Sequence, residues 1–248
     1  MALAHGEARR LAVRSLFLQV LLNYHTMQGG GYLFALWSWL RKSDPTGKRT
    51  PAAASYLNAH PVMAALAIGA LRRRIEDGDI EKDPDEFAEW QLSLCGPLGI
   101  VGDGLIWDRW KPLLFSVSVL VLICFPSLSV WMVTAAICLL LYNIPLYLLR
   151  VWGVEEGYRL GAKVLTALAH PEFSKFRKIL TAIGAAVAGG LFAAGLFSTM
   201  SGSLLWAGQF LLAFSITLLF SRRQWNITWV VLLALLAALI LPQFVRAV

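Results

Sequence analysis

Hydrophobic and polar positions divide this chain into two unlike parts. From residue 112 to residue 149 no charged side chain occurs. At about 1.5 Å of rise per residue this run is too long for one crossing of a roughly 30 Å hydrocarbon core, so it predicts a hairpin of two transmembrane helices. Phe125-Pro126-Ser127 is the predicted turn, because proline removes a backbone donor and restricts the residue before it. Residues 179–200, 203–221 and 227–244 predict three further spans. Upstream, the apolar segments 11–22, 31–40 and 61–71 are too short for ordinary crossings and are separated by glycine, proline or charge. They predict short helices that lie at the interface or dip in and out of it. Residues 75–89 are strongly acidic and are expected to be solvated.

The expected fold is therefore an all-α integral membrane protein, with short and re-entrant N-terminal helices followed by about five transmembrane helices. Its expected divisions are an amphipathic and re-entrant region 1–111 with a distinctive loop at 94–112, a transmembrane hairpin 112–149, a cytoplasmic loop 150–178 and three C-terminal spans in 179–248. Composition agrees: 58% of residues are hydrophobic, 15% are charged, and mean hydropathy is +0.63. Charge then sets orientation. The segment 150–178 carries Arg150, Arg159, Lys163, Lys175, Arg177 and Lys178, and Arg222 and Arg223 follow two spans later. Five spans with the N-terminus in the cytoplasm keep nearly all of these basic residues inside. A net charge of +7 placed between apolar runs suits an anionic leaflet better than nucleic acid. Cys95, Cys124 and Cys138 lack metal-type spacing, and the first residues show no cleavable signal pattern.

Candidate chemistry concentrates in Leu94-Cys95-Gly96-Pro97-Leu98-Gly99-Ile100-Val101-Gly102-Asp103. Irregular backbone near lipid survives only when buried in protein or lining a cavity, so a glycine- and proline-rich stretch with one carboxylate reads as a shaped loop. Asp103 is either paired with Arg109 or Lys111, a cap for a helix beginning near Gly104, or an acceptor for a ligand hydroxyl. Asn58 and His60 precede Pro61, which is expected at the first position of the next short helix; His60 is the residue there that can face a polar cavity. Asn23 and Gln28 carry amides able to grip hydroxyls or a neighbouring helix. No catalytic residue and no metal set is expected: His5, His25, His60 and His170 are scattered, and HExxH, nucleophile-elbow and phosphate-loop patterns do not occur.

These residues also carry a resemblance. Asn23-Tyr24-His25-Thr26-Met27-Gln28 with Gly31-Tyr32, then Asn58-Ala59-His60-Pro61, then Gly96-Pro97-Leu98 with Gly102-Asp103, Trp107 and Lys111-Pro112, and finally Tyr142-Asn143-Ile144 and Gly157-Tyr158 with Gly161, resemble in order the motifs of IID subunits of mannose/fructose/sorbose-type sugar phosphotransferase permeases. The likeness spans roughly residues 16–168. It implies a subunit of the bacterial inner membrane, multi-pass, that pairs with a IIC subunit in a higher oligomer and moves hexose, while soluble IIA and IIB components carry the phosphate and IIB phosphorylates the sugar. It implies no cofactor and no phosphorylated residue in this chain. Asp103, Gly96, Pro97, Gly102, His60, Asn58, Gln28 and Asn23 are the resulting candidates along the substrate pathway. Lys175, Arg177 and Lys178 are the candidates for docking IIB. Arg72-Arg73-Arg74 stands where the family commonly shows a Glu pair, and a tight Ser201-Gly202 replaces a polar extension. The alternative reading is a non-transporting membrane scaffold or regulatory paralogue.

Overall fold

In the computed structural model the described residues are 3–169, 173–184 and 187. All belong to one compact unit, Met1–Val187. The expected spans 203–221 and 227–244, and most of 179–200, lie outside the described residues. The described part is helical, and its extended pairings are two isolated bridges, Asn23 with Met27 and Met27 with Leu57. Short helices fill the N-terminal region: α1 (His5–Arg14), α2 (Gly29–Ser43), α3 (Thr50–Ala53), α4 (Ala64–Glu76), α5 (Asp79–Lys82), α6 (Pro84–Ser93) and α7 (Cys95–Gly102). A π-helical segment, Asp103–Trp110, joins α7 to α8 (Lys111–Cys124); α9 (Leu128–Leu160) and a 3-10 segment, Gly161–Ala169, follow. Residues 173–184 are again helical.

The centre of the unit is α4. From Ala64 to Ile75 every residue except Arg73 is buried, and a helix apolar on all sides is one enclosed by protein. Small residues let its neighbours come close. The closest is α9, which lays Gly153 and Gly157 against α4 while α4 offers Gly69 in return. A Cβ on Gly157 would overlap the Leu66 carbonyl, and one on Gly69 would overlap the Val154 carbonyl.

The C-terminal turn of α4 carries the three arginines, and here the acidic stretch departs from expectation. It is not simply solvated, since Phe87 and Gln91 are buried and its carboxylates neutralise arginine side chains. Arg74 bonds Asp79 at 2.7 Å and Glu86 at 2.5 Å with its guanidinium 4.5 Å above the Trp90 ring. Arg72 bonds Glu76 at 3.1 Å and Glu7 at 3.3 Å and lies over Trp39. Buried arginines need such partners, and positive charge is favoured at a helix C-terminus.

Burial opposes the charge on Asp79, yet hydrogen bonds from Arg74 and Lys82 outweigh it and hold its carboxyl below the usual 3.8. A carboxyl lowered by folding adds stability that is complete above its unfolded pKa and is lost as pH falls through the folded one. Acidification below about pH 4 is therefore expected to loosen α5 and α6 from α4. Hydrogen exchange of residues 79–93 would read this, and Arg74→Met should flatten the pH dependence.

Two expected loops are helices. The signature stretch forms α7, because Gly96, Gly99 and Gly102 take ordinary helical backbone and Pro97 falls in the first turn, where its missing N–H has no partner to lose. The ladder then switches to the five-residue spacing of a π-helix immediately before Pro112: the Lys111 N–H bonds the Ile106 carbonyl. Residues 150–178 are likewise not a loop from the start. Helix α9 continues to Leu160, since Val151, Val154 and Tyr158 bury against α4, and it stops at Gly161, whose φ of 53° is readily reached by glycine. Leu128–Leu168 is long and apolar enough to cross a membrane by length and composition, the one such helix among the described residues.

Candidate functional site

The motif residues converge where the loops before α2 and α4 meet α7 and the π segment. The first loop is shaped by Asn23: its side-chain oxygen accepts from the His25 and Thr26 N–H groups at 3.0 and 2.9 Å, and its amide donates to the Thr26 hydroxyl at 2.8 Å. This local turn supports a positive φ of 51° at Met27, an uncommon conformation for a side-chain-bearing residue. Gln28 then ties the two loops together. Its backbone N–H bonds the Leu57 carbonyl at 2.9 Å. Its side-chain amide donates to the Ala59 carbonyl at 2.8 Å and accepts from the Ala59 N–H at 3.2 Å. Buried at 3% exposure, Gln28 acts as an extra peptide group for the second loop.

That loop delivers His60. The ring is 3% exposed, and its Nδ1 accepts from the Val62 N–H at 3.2 Å, which places the ring proton of the neutral form on Nε2. Among the described residues Nε2 has no hydrogen-bond partner. The imidazole meets Trp107 of the π segment edge to face, with centroids 5.0 Å apart. It also presses on Gly102, where an added Cβ would overlap the His60 Cβ and Cγ. The Asn58 N–H reaches the Cys95 sulfur at 3.4 Å. Pro61 does not open the next helix, as α4 begins at Ala64; residues 61–63 form a turn instead.

Asp103 follows Gly102 inside continuous helix, with φ −60° and ψ −51°, so it caps nothing. Its two expected ion-pair partners are not engaged with it: Arg109 donates to the Gly104 carbonyl and, at 2.9 Å, to the Thr181 hydroxyl, and no ion pair joins Lys111 to Asp103 among the described residues. The structure thus brings Gln28, Asn58, His60 and Gly102 to one junction with Asp103 beside it. Asn23 sits in the turn leading there, whereas Gly96 and Pro97 are exposed near the opposite end of α7. Lys175, Arg177 and Lys178 stand apart, exposed on helix 173–184.

One residue of this region escapes sequence reasoning. Arg150, placed by its charge at the start of a loop, is 7% exposed within α9. Its Nη1 donates to the Pro61 carbonyl at 2.6 Å, the Ser15 hydroxyl at 3.0 Å and the Ser15 carbonyl at 3.1 Å. Ser15 is the C-cap of α1, so the negative end of that helix faces the guanidinium where a carboxylate would otherwise be needed. Arg150 thereby fixes α1 and the His60 loop to α9. The only hint in the sequence is a lone cation ending a charge-free helical run.

A junction of glycine-spaced helices, amide clamps and a buried imidazole, with the Asp103 carboxylate and the Cys95 sulfur at its edge, defines a helical protein with a polar seam, and its helix Leu128–Leu168 is long and apolar enough to cross a membrane. Comparison with known proteins gives the family. Residues 2–199 match the model described as PTS system mannose/fructose/sorbose family IID component, and the chain belongs to that family of phosphotransferase sugar permease subunits. It is 23% identical over 197 residues to the PTS system mannose-specific EIID component of Escherichia coli (strain K12), covering 76% of this chain and 68% of the relative. It is 25% identical over 195 residues to the fructose permease IID component of Bacillus subtilis (strain 168), covering 76% and 69%. In fold it is similar to a chain from the cryo-electron microscopy structure of the mannose transporter ManYZ with microcin E492, at a TM-score of 0.55 and 20% identity over 96% of this chain and 95% of that one. A structure described as a membrane protein gives a TM-score of 0.65, also at 20% identity, over 96% of both chains.

Proposed function

We propose that this subunit forms the hexose-translocating unit with a IIC subunit in the bacterial inner membrane, within a higher oligomer, while IIB (charged by IIA) phosphorylates the sugar at the cytoplasmic mouth. The chain crosses five times: two spans within 112–149 and one each in 179–200, 203–221 and 227–244, with the N-terminus in the cytoplasm. Region 1–111 is the re-entrant part that faces the sugar path. The observation that carries this reading is the meeting of family-motif residues far apart in sequence: Gln28 bonds Ala59, the adjacent His60 presses on Gly102, and the exposed Asn58 and Asp103, which has no ion pair among the described residues, lie beside them. Hydroxyl-rich ligands call for such hydrogen-bonding groups set in apolar walls. Gly96 and Pro97 lie at the outer end of the same helix, and Asn23 supports the loop that leads to it.

The test is uptake of labelled hexose by the subunit co-expressed with a IIC, IIB and IIA set. Asp103→Asn and Gly102→Ala, the latter displacing His60, are each expected to lower uptake by about tenfold or more with the subunits still co-purifying. Full uptake by both variants would remove this junction from the sugar path. An intact complex that never takes up hexose would favour the scaffold reading, to which the Arg72–Arg74 ion network gives a structural basis. Basic residues attract anionic partners over a distance set by salt. Replacing Lys175, Arg177 and Lys178 with glutamate is therefore expected to weaken IIB binding at low ionic strength and to matter little at high salt; unchanged low-salt binding would place the docking surface elsewhere.

A further inference from the structure

Along one face of α9, Pro145, Leu146, Leu149, Trp152, Glu156 and Arg159 line a cavity of about 600 Å³, closed on its other side by the π segment and helix 173–184. The fourteen helical steps from Pro145 to Arg159 give this wall a length of about 21 Å. Its polarity runs in one direction: aliphatic at Pro145 to Leu149, amphipathic at Trp152, then charged. Arg159 donates to both oxygens of Glu156, through Nε at 2.7 Å and through Nη2, and the Arg159 side chain remains 62% exposed.

We propose that this cavity seats the headgroup, glycerol and first acyl carbons of one phospholipid with a zwitterionic, primary-amine headgroup, the rest of its chains running out into the bilayer. The proposal rests on the membrane reading above. A long apolar trough leading to an indole and ending in charge repeats the order of a lipid from acyl chain through glycerol to headgroup, and tryptophan belongs at that boundary. A sugar would find too few polar partners along the aliphatic wall. The charge at the mouth selects the headgroup. Glu156 opposes a purely anionic lipid, because its carboxylate lies against the Arg159 guanidinium that would receive the phosphate. A phosphoethanolamine group meets both charges at once, with phosphate on Arg159 and ammonium on Glu156, and its amine N–H groups can donate where a trimethylated amine cannot.

The purified chain, delipidated and returned to nanodiscs of phosphatidylethanolamine, phosphatidylcholine or phosphatidylglycerol in turn, is then released into detergent and its retained lipid counted by native mass spectrometry. One phosphatidylethanolamine per chain is expected, with the other two held about tenfold less well. Leu149→Trp, filling the trough, should abolish retention. Glu156→Gln, at the charged end of the trough, should keep a lipid but erase the preference over phosphatidylglycerol. Equal retention of all three lipids by wild type, retention unchanged in Leu149→Trp folded as judged by circular dichroism, or a preference that survives Glu156→Gln would overturn the proposal, as would a co-expressed IIC subunit occupying the trough in place of lipid. Carbonate extraction of cell membranes separates the two readings: release of the chain would undo the membrane reading itself, whereas a chain that stays in the membrane but retains no lipid sinks only this inference.

Discussion

Replacing Gly157 with valine is expected to destabilise the protein by about 3 kcal/mol or more, enough to empty the folded state of a marginally stable unit. A Cβ there meets the Leu66 carbonyl and lies 3.1 Å from the Ala70 N–H, both backbone atoms of the enclosed helix α4, so nothing can swing aside. Relief would require moving α9 away from α4, and that separation opens the centre of the unit. Gly96→Val supplies the comparison. Nothing lies within 4 Å of a Cβ at Gly96, so only the helix propensity of the new residue should register. Thermal unfolding in detergent, followed by circular dichroism, should show a large loss for the first variant and little change for the second. Equal behaviour of the two would mean that the α4–α9 contact is not what holds the unit together.

Arg150→Met is the second large effect expected, about 2–3 kcal/mol. The side chain of methionine fills much of the same space, yet the Pro61 carbonyl and the Ser15 hydroxyl lose the guanidinium, and the Ser15 carbonyl is left with the Leu18 N–H at 3.3 Å. Arg150→Lys should recover part of the loss, since all three acceptors meet the single nitrogen Nη1 and an ammonium brings three donors, but on a stem of different length. The signature separating this from general weakening is local: hydrogen exchange at residues 57–63 and at the C-terminal turn of α1 should rise together. Arg159→Met, which removes an ion pair at the surface, should change stability little. Loss of equal size in both variants would show that burial of Arg150 has no special consequence.

Local signals were readable from the sequence where the physics is local. The break at residues 125–127 is legible because Pro126 cannot continue a helical ladder and Ser127 caps the next one, its hydroxyl accepting from the Val130 N–H at 3.4 Å. Short N-terminal helices are legible from apolar runs interrupted by glycine and charge. The stretch at 94–112 misled because glycine and proline usually mark loops; here glycine serves close packing at Gly102, and Pro97 occupies a turn that needs no donor. Asn23, Gln28, His60, Gly102 and Asp103 stand out as residue types, but their meeting does not, since Gln28 bonds Ala59 across 31 positions and His60 meets Gly102 across a comparable gap. The arginine run shows the same limit. Nothing local says that Arg72 will find Glu7 across 65 positions. Arg150 is the clearest case, because its counter-charge is the end of a helix and no residue type announces that.

The enclosure of α4 also sets a schedule for synthesis. Its last residue, Glu76, leaves the ribosome 77 residues ahead of Gly153, where α9 packs against it. At about 5–20 residues per second the wait lasts roughly 4–15 s. During it a thirteen-residue apolar rod, too short to span a bilayer unaided and tipped with three arginines, has α1 and α2, then α5 and α6 as they emerge, for shelter. Whatever guards nascent segments at the insertion site must hold this one until the long partner arrives, which makes α4 the stage of biogenesis most exposed to delay or misrouting.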